Sequence, residues 1–368
     1  VSVLWQSILA ASLVLQYATL LILTRINWKS YAKKSPEYPR ISILIAARNE
    51  EEDLPHLLKS LESLDYPEHS YEILVADDNS SDQTAPLIEK WAEGKSNRRL
   101  VSITKEHLGI YHSNGKANAL AIMAKQASGE LFFFTDADCE VPPTWLKEGV
   151  ASFDEGVGLV IGVTQVKSAS LLGKMQELEW WNTLGIVKAV TDLELPTTGL
   201  GNNMAISKQA YLQSGGFEGI SYSVTEDLEI SRSIRRSGFT VRHQVSPGLL
   251  VKTKAEKSWG ALLRQRKRWV TGAMTLSLGW KILLGFQFLF FPLIISVLMS
   301  NGLLGIAIWG FKVIFQSWFL LYFAGKSGQR LGLLPLIIFD FYQMLSLSLT
   351  ILYYFWPVRI QWKSRNYP

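Results

Sequence analysis

The chain has 368 residues, 48% of them hydrophobic and 19% charged, with 37 lysines and arginines against 32 acids and a net charge of +5. This composition excludes a disordered chain, a collagen-like repeat and a disulfide-stapled secreted scaffold. The single cysteine, Cys139, excludes an internal disulfide and a cysteine-rich zinc site. A mean hydropathy of +0.12 is an average over two populations, because between Lys281 and Trp356 only Lys281, Lys312, Lys326, Arg330 and Asp340 are charged. The pattern reads as a soluble domain of roughly 250 residues set between membrane segments.

Val3–Thr24 contains no charged residue and is long enough to cross a hydrocarbon core of about 30 Å. No lysine or arginine precedes it, which favours an anchor over a cleaved signal peptide. Arg25, Lys29, Lys33, Lys34 and Arg40 follow, against Glu37 alone. That excess predicts an outside N-terminus and a cytoplasmic domain after it.

From Tyr38 to about Ser207, short β-branched or aromatic runs alternate with helical ones. The predicted strands are Ile41–Ala47, Tyr71–Ala76, Leu100–Thr104, Leu131–Thr135 and Leu159–Val163. The predicted helices lie near Glu51–Leu64, Thr84–Trp91, Lys116–Ala127 and Thr144–Phe153. The alternation points to an α/β fold with a mostly parallel sheet and helices on both faces, whose ligands bind at the carboxyl ends of the strands. No Gly-x-Gly-x-x-Gly, Walker lysine loop or Gly-x-Ser-x-Gly elbow is present, which argues against dinucleotide, P-loop and α/β-hydrolase chemistry.

A helix is predicted from about Glu256 to Leu276. It carries Gln265, Arg268 and Trp269 on one face and an apolar stripe of Trp259, Leu262, Leu263 and Val270 expected to rest on lipid. Ile282–Met299, Leu303–Ala324 and Leu331–Trp356 are further membrane candidates. Four crossings would put the C-terminal tail outside, yet it carries Arg359, Lys363 and Arg365. Either one stretch is re-entrant or the charge rule fails at this end. Lys312 and Asp340 are costly at membrane depth and are expected to face protein or water, or to snorkel.

Four polar motifs sit where strands or helices begin or end. Asp136 and Asp138 follow the run Leu131–Phe134, and hard oxygen ligands so placed suit Mg²⁺ or Mn²⁺ with substrate phosphates, or cap a solvated turn. Asp77 and Asp78 could hydrogen-bond a base or ribose, or N-cap a helix that starts near Asp82, a cap that Asn79 or Ser80 could also supply. Thr225-Glu226-Asp227 is an ordinary helix start that could also supply Asp227 as a general base. Arg268 would suit a pyrophosphate.

In their order along the chain, Asp-Asp-x-Ser, Asp-Ala-Asp, Thr-Glu-Asp and Gln-x-x-Arg-Trp, followed by apolar helices, resemble the membrane-integrated family-2 inverting glycosyltransferases. That group includes cellulose, chitin, hyaluronan and poly-N-acetylglucosamine synthases and ceramide glucosyltransferase-like enzymes. The resemblance is detailed from about Ile41 to Trp269 and extends in outline to the flanking helices.

The resemblance implies a GT-A fold over residues 26–255, after a transmembrane helix at 1–25 and before an interfacial helix at 256–280. Transmembrane helices and a basic tail then fill 281–368. It implies that Asp77 or Asp78 meets the nucleoside of a nucleotide-diphosphate sugar, UDP-linked, with Glu50 and Lys116 assisting. Asp138 would bind the metal, Mg²⁺ or Mn²⁺, with Asp136 nearby. Asp227 would be the base, and Gln265, Arg268 and Trp269 would hold the pyrophosphate and shape the acceptor site. Gly201-Asn202-Asn203-Met204 is similar to a segment near the acceptor, or is a turn before the helix near Ser207. The expected acceptor is a membrane-held glycolipid precursor or short glycan, with inversion to a β-linkage. Three readings compete: a processive, polymer-exporting synthase, a polyprenyl-phosphate sugar synthase, and an inactive membrane scaffold or transporter. Nucleic acid is disfavoured, because many aromatics lie in the apolar runs rather than on one basic stripe. The compact size favours a bacterial inner membrane.

Overall fold

A computed structural model of the chain describes residues 2–31, 38–363 and 365–367; Lys33, Lys34 and Glu37 of the expected basic flank lie outside the described residues. The first helix, α1 (Ser2–Ile26), is the apolar N-terminal run. The domain then opens with β1 (Ile41–Ala47), α2 (Leu54–Glu62), β2 (Tyr71–Asp77), α3 (Thr84–Ala92), β3 (Arg98–Ser102), α4 (Gly115–Gln126) and β4 (Leu131–Phe134). Strand β1 is flanked in parallel by β2 and β4, and β3 pairs with β2. Its side chains alternate between two cores. Ile41, Ile43 and Ile45 pack with Leu54, Leu57 and Leu61 of α2, while Leu44 packs with Leu120 of α4. Burial on both faces explains why β1 is apolar at every position but Ser42, whose hydroxyl donates to Glu72, rather than alternating.

The chain continues through β5 (Cys139–Glu140), α5 (Trp145–Val150), β6 (Val157–Ile161), β7 (Val163–Lys167), α6 (Leu171–Asp192), β8 (Met204–Ser207), α7 (Lys208–Gln213), α8 (Gly216–Gly219), α9 (Glu226–Arg236), β9 (Thr240–His243) and β10 (Leu250–Lys254). The main sheet has the order β3-β2-β1-β4-β8-β6-β9, with β8 antiparallel to both neighbours. A second sheet, β5-β10-β7, sits beside it. The run expected as one strand, Leu159–Val163, is divided at Gly162, and its two parts enter different sheets.

Among the described residues, four helices are long and apolar enough to cross a membrane: α1, α11 (Leu278–Ser300), α12 (Gly302–Lys326) and α13 (Leu333–Phe355). Ala10, Leu13 and Val14 of α1 pack against Phe290, Phe291 and Ile294 of α11 and Ile308 of α12. Lys312 and Asp340 face protein: they pair across α12 and α13, and Asp340 also accepts from Trp309 Nε1. Lys312 further donates to Gln316 Oε1 at 3.1 Å, and Gln316 Nε2 reaches Tyr17 and Gln343. Each polar group in this network has a partner, as an apolar surrounding demands.

Helix α1 is fastened to the domain by a second buried lysine. Lys188 of α6 donates to Asp192 Oδ1 at 2.7 Å and to the carbonyls of Lys29 and His243 at 2.6 and 2.8 Å.

The helix carrying the Gln-x-x-Arg-Trp motif is α10 (Trp259–Ala273). Its apolar stripe was expected on lipid, but Leu262 is fully buried in protein and Trp259 packs on Tyr342 of α13. Helix α13 provides the apolar surface instead, running alongside α10 from Tyr342 to Tyr353. Both ends of α13 meet the sheet domain's side of the molecule. Leu336 and Phe339 pack with Trp181 of α6, and Lys267 of α10 donates to the carbonyls of Trp356 and Val358. The tail then forms a hairpin, β11 (Ile360–Trp362) with β12 (Arg365–Tyr367), and Lys363 pairs with Glu50.

Candidate active site

Strands β1, β2 and β4 are parallel, so their carboxyl ends open on one edge, where doubly wound sheets bind ligands. The loops after β1 and β2 are tied together. The Glu50 N–H donates to Thr84 Oγ1 at 2.8 Å, and the Asn49 N–H to Ser80 Oγ at 3.0 Å. Asn49 and Asn79 both take left-handed φ, at 51° and 56°, which asparagine tolerates better than most residues. The helix after this loop is held at its start by Asp82, which accepts from the Thr84 N–H, rather than by Asn79 or Ser80. Asp77 accepts from the Ser80 N–H at 3.3 Å, and its Oδ1 is buried with no partner among the described residues.

One cavity of about 1220 Å³ joins this edge to the membrane helices. Glu50, Lys116, Asp136, Asp138, Asp227, Gln265, Arg268 and Trp269 all line it; Asp77 and Asp78 do not. Arg48 holds that corner, donating to the carbonyls of Asp78, Asn79 and Lys363.

Lys116 lies at the centre of a carboxylate cluster. Its Nζ lies 2.6 Å from Asp136 Oδ1 and 3.0 Å from Glu226 Oε1. Burial opposes its charge, and the surrounding carboxylates of Asp136, Glu226 and Asp227 hold its pKa above the ordinary lysine value. Asp227 is oriented by two backbone donors, Gly201 N–H to Oδ2 at 3.1 Å and Leu228 N–H to Oδ1 at 2.9 Å. Burial, then the Glu226 charge, pushes its carboxyl up to about 6. Gly199 allows this approach, since a Cβ there would stand 2.4 Å from the Asp227 carbonyl. Gly272 does the same for α10, where a Cβ would lie 2.2 Å from Thr225 Oγ1.

Asn202 lines the cavity, and Asn203 is buried next to it. Asn203 Nδ2 donates to the carbonyls of Val163 and Leu249 at 2.8 Å each, and its Oδ1 accepts from Trp145 Nε1 at 3.0 Å.

Asp138 sits beside Lys254 at 4.0 Å, and burial followed by the Asp136 charge raises its pKa. Burial likewise pushes Glu50 up to about 7 despite Lys363 at 2.8 Å, and Glu50 Oε2 is buried without a hydrogen bond among the described residues. This corner therefore holds more negative charge than its lysines neutralise comfortably. Among the described residues no three histidine, cysteine or acidic side chains converge as a ready-made metal cage. One or two carboxylates completed by phosphate oxygens and water fit Mg²⁺ or Mn²⁺, and the donor set here is of that kind.

On α10, Gln265 Nε2 donates to Glu256 Oε1 at 3.0 Å, and Trp269 stacks edge-on against Trp180 of α6 at 5.5 Å. Arg266, between the motif residues, lies 4.2 Å over Trp269 and pairs with Glu179 at 2.7 Å. It braces the motif from behind. Arg266, Glu179 and Lys363 escape sequence reasoning because their partners are distant in the chain.

The cavity continues past Ile186, Val187 and Val190 of α6 to Trp280, Leu284 and Gln287 of α11. A site rich in carboxylates thus opens directly onto a membrane helix.

The sequence matches the profile of glycosyl transferase family 21 across residues 4–368. It is 26% identical over 300 residues to the "Probable glycosyltransferase YdaM" of Bacillus subtilis, covering 75% of this chain and 68% of that protein. It is 30% identical over 236 residues to a poly-beta-1,6-N-acetyl-D-glucosamine synthase of Staphylococcus epidermidis, covering 63% of this chain and 54% of the relative. It is 27% identical over 268 residues to the beta-monoglucosyldiacylglycerol synthase of Synechocystis, covering 66% and 52%. The chain thus spans about half the length of those two synthases. In structure it is similar to the mannosyltransferase PcManGT of Pyrobaculum calidifontis, solved with GDP-Man and Mn²⁺, with a TM-score of 0.58, 18% identity and coverage of 95% and 99%. That likeness concerns the fold, a GT-A glycosyltransferase domain with attached apolar helices. The chain belongs to glycosyl transferase family 21, as a membrane-integrated glycosyltransferase.

Proposed function

We propose that the protein transfers one sugar from a nucleotide-diphosphate donor, UDP-linked, to the hydroxyl of a membrane-held lipid, inverting the anomeric centre. The observation that carries this reading is the single cavity running from Asp227 and Asp138 to Trp280 and Leu284 on α11. A donor with a charged diphosphate suits one end, and a hydrocarbon-bearing acceptor suits the other.

The chain's own groups support each step. Asp227 lines the cavity with its carboxylate fixed by two N–H donors, and a base poised near neutrality takes the acceptor proton as the oxygen attacks. Arg268 meets the charge growing on the departing diphosphate. Asp138 and Asp136 would hold a divalent metal, Mg²⁺ or Mn²⁺, which when bound supplies Lewis-acid stabilisation of that diphosphate. Asp77 Oδ1, orphaned among the described residues behind the cavity wall, would accept from a base or ribose, with Asp78 next in the chain and Glu50 on the cavity itself. Gln265 and Trp269 shape the wall on which the acceptor headgroup lies.

We also propose three crossings, by α1, α11 and α12, with the catalytic domain in the cytoplasm of a bacterial inner membrane. Helix α13 meets the middle of α12 through Asp340 and returns alongside α10, a re-entrant path that leaves the tail on the catalytic side, where Lys363 pairs with Glu50. This favours the re-entrant alternative and agrees with the tail's positive charge.

The similarity to a poly-N-acetylglucosamine synthase favours a processive synthase as the second reading. The test uses purified protein in nanodiscs with Mn²⁺ or Mg²⁺, a panel of nucleotide sugars and a total lipid extract. Sugar label in organic solvent is the expected result. Label retained on a filter as polymer would replace the proposal with the processive reading, and no metal-dependent transfer would revive an inactive scaffold.

A further inference from the structure

The membrane end of the cavity is basic. The cavity-facing stripe of α9 is Leu228, Arg232, Arg235 and Arg236, at i, i+4, i+7 and i+8. It begins beside Asp227 and ends in three arginines. Arg232 is pinned to Thr275 at the end of α10 at 2.8 Å, and Arg235 donates to the Glu194 carbonyl just beyond α6. The guanidiniums therefore span the gap between α6 and the start of α11. Glu229 is the one carboxylate paired with any of them among the described residues, and Arg236 forms no ion pair or hydrogen bond there. Around them the walls are apolar: Ile186 and Val190 on one side, Trp280 and Leu284 on the other.

A lipid whose headgroup is only a neutral hydroxyl would leave the half-buried Arg235 and the exposed Arg236 without a counter-charge beside these apolar walls. A phosphate accepts guanidinium bonds in a matching geometry, and its acyl chains would lie in the slot between α6 and α11. Spacing agrees as well. At 1.5 Å per residue, Arg232 stands about 7.5 Å along α9 from Asp227, so a hydroxyl a few bonds beyond the phosphate reaches the base.

Building on the lipid-acceptor reading above, we propose that the acceptor is an anionic phospholipid with a free headgroup hydroxyl, its phosphate held by Arg232, Arg235 and Arg236. The hydroxyl oxygen bonds to the anomeric carbon, its proton passes to Asp227, and the nucleoside diphosphate leaves with the electron pair of the broken carbon–oxygen bond. Phospholipid phosphate and sugar acceptor are then parts of one molecule.

The experiment measures which lipid the full-length protein retains. Phosphatidylglycerol, diacylglycerol and phosphatidylcholine of matched chains are offered in equal amounts, and retained lipid is read by native mass spectrometry. Phosphatidylglycerol should dominate by at least about fivefold, and R235Q/R236Q should reduce its retention about tenfold. Nucleotide binding by that variant is measured in parallel to establish that it folds. Trp280→Ala, at the apolar wall, should also lower retention, and label from the donor should enter phosphatidylglycerol in nanodiscs. Equal retention of the three lipids, retention indifferent to the arginine substitutions, or transfer to diacylglycerol alone would overturn the inference while leaving the glycosyltransferase reading intact. Selective retention without transfer to any lipid would support the phosphate site and count instead against the transfer reading.

Discussion

Lys116 and Lys312 are both largely buried cations held by carboxylates, and their surroundings are opposites. Lys312 faces one acid, Asp340, and the remaining donors and acceptors close on one another through Trp309, Gln316, Tyr17 and Gln343. Lys116 faces Asp136, Glu226 and the charge of Asp227, and the cluster opens onto the cavity. A balanced, closed network in an apolar surrounding fixes helix positions. An open one with surplus negative charge raises Asp227 into the range of a useful base and leaves room for a cation and a substrate. The same residue types thus serve structure in the membrane and chemistry at the sheet edge.

That contrast can be broken from the chemical side first. Asp227→Asn keeps the shape and one of the two backbone hydrogen bonds, since its amide nitrogen cannot accept, and removes the base, so transfer should fall about a hundred- to ten-thousand-fold while donor binding persists. Single-turnover label transfer beside nucleotide binding checks this, and retained turnover would take the base role from Asp227. The membrane side breaks next. Lys312→Met leaves Asp340 buried and unpaired, at a cost of about 3–5 kcal/mol, whereas adding Asp340→Leu should recover most of it. Thermal unfolding in detergent reads both; equal loss in the single and double variants would contradict a balanced pair. A smaller effect concerns pH. With the Asp227 carboxyl at about 6, kcat/KM should be flat above that value and fall about tenfold per unit below it, as the base takes up its proton. An acid limb near the ordinary aspartate range would show that burial does not tune this group. The smallest effect is on turnover by R359C, which should be nil. The new thiol should react with an impermeant maleimide only in opened cells, since Cys139 is buried and silent. Labelling of intact cells would restore a fourth crossing.

The sequence reveals the parts whose physics is local. Ile41–Ala47 is legible because six apolar residues in a run of seven between turns are a buried strand, and the carboxylate motifs mark the ends of β1, β2 and β4. Helix α6 is not legible in the same way. Trp181, Leu184, Asn182, Gln176 and Lys188 are all buried, so it touches protein on several faces and shows no clean amphipathic period. The break at Gly162 is hidden inside one apolar run. Lys363 is invisible to any local reading, because Arg48, which binds its carbonyl, lies 315 residues away. Motif spacing could place Lys116 near the donor, but only the fold reveals that Asp136 and Glu226 hold it.

A single displacement assisted by one oriented base inverts the anomeric centre. The anomeric configuration of the product formed from an α-linked nucleotide sugar, read from the proton coupling of the transferred residue, tests this most directly. The product should be β-linked from the first turnover. An α-linked product would require a second displacement or a different mechanism, and would contradict the single displacement.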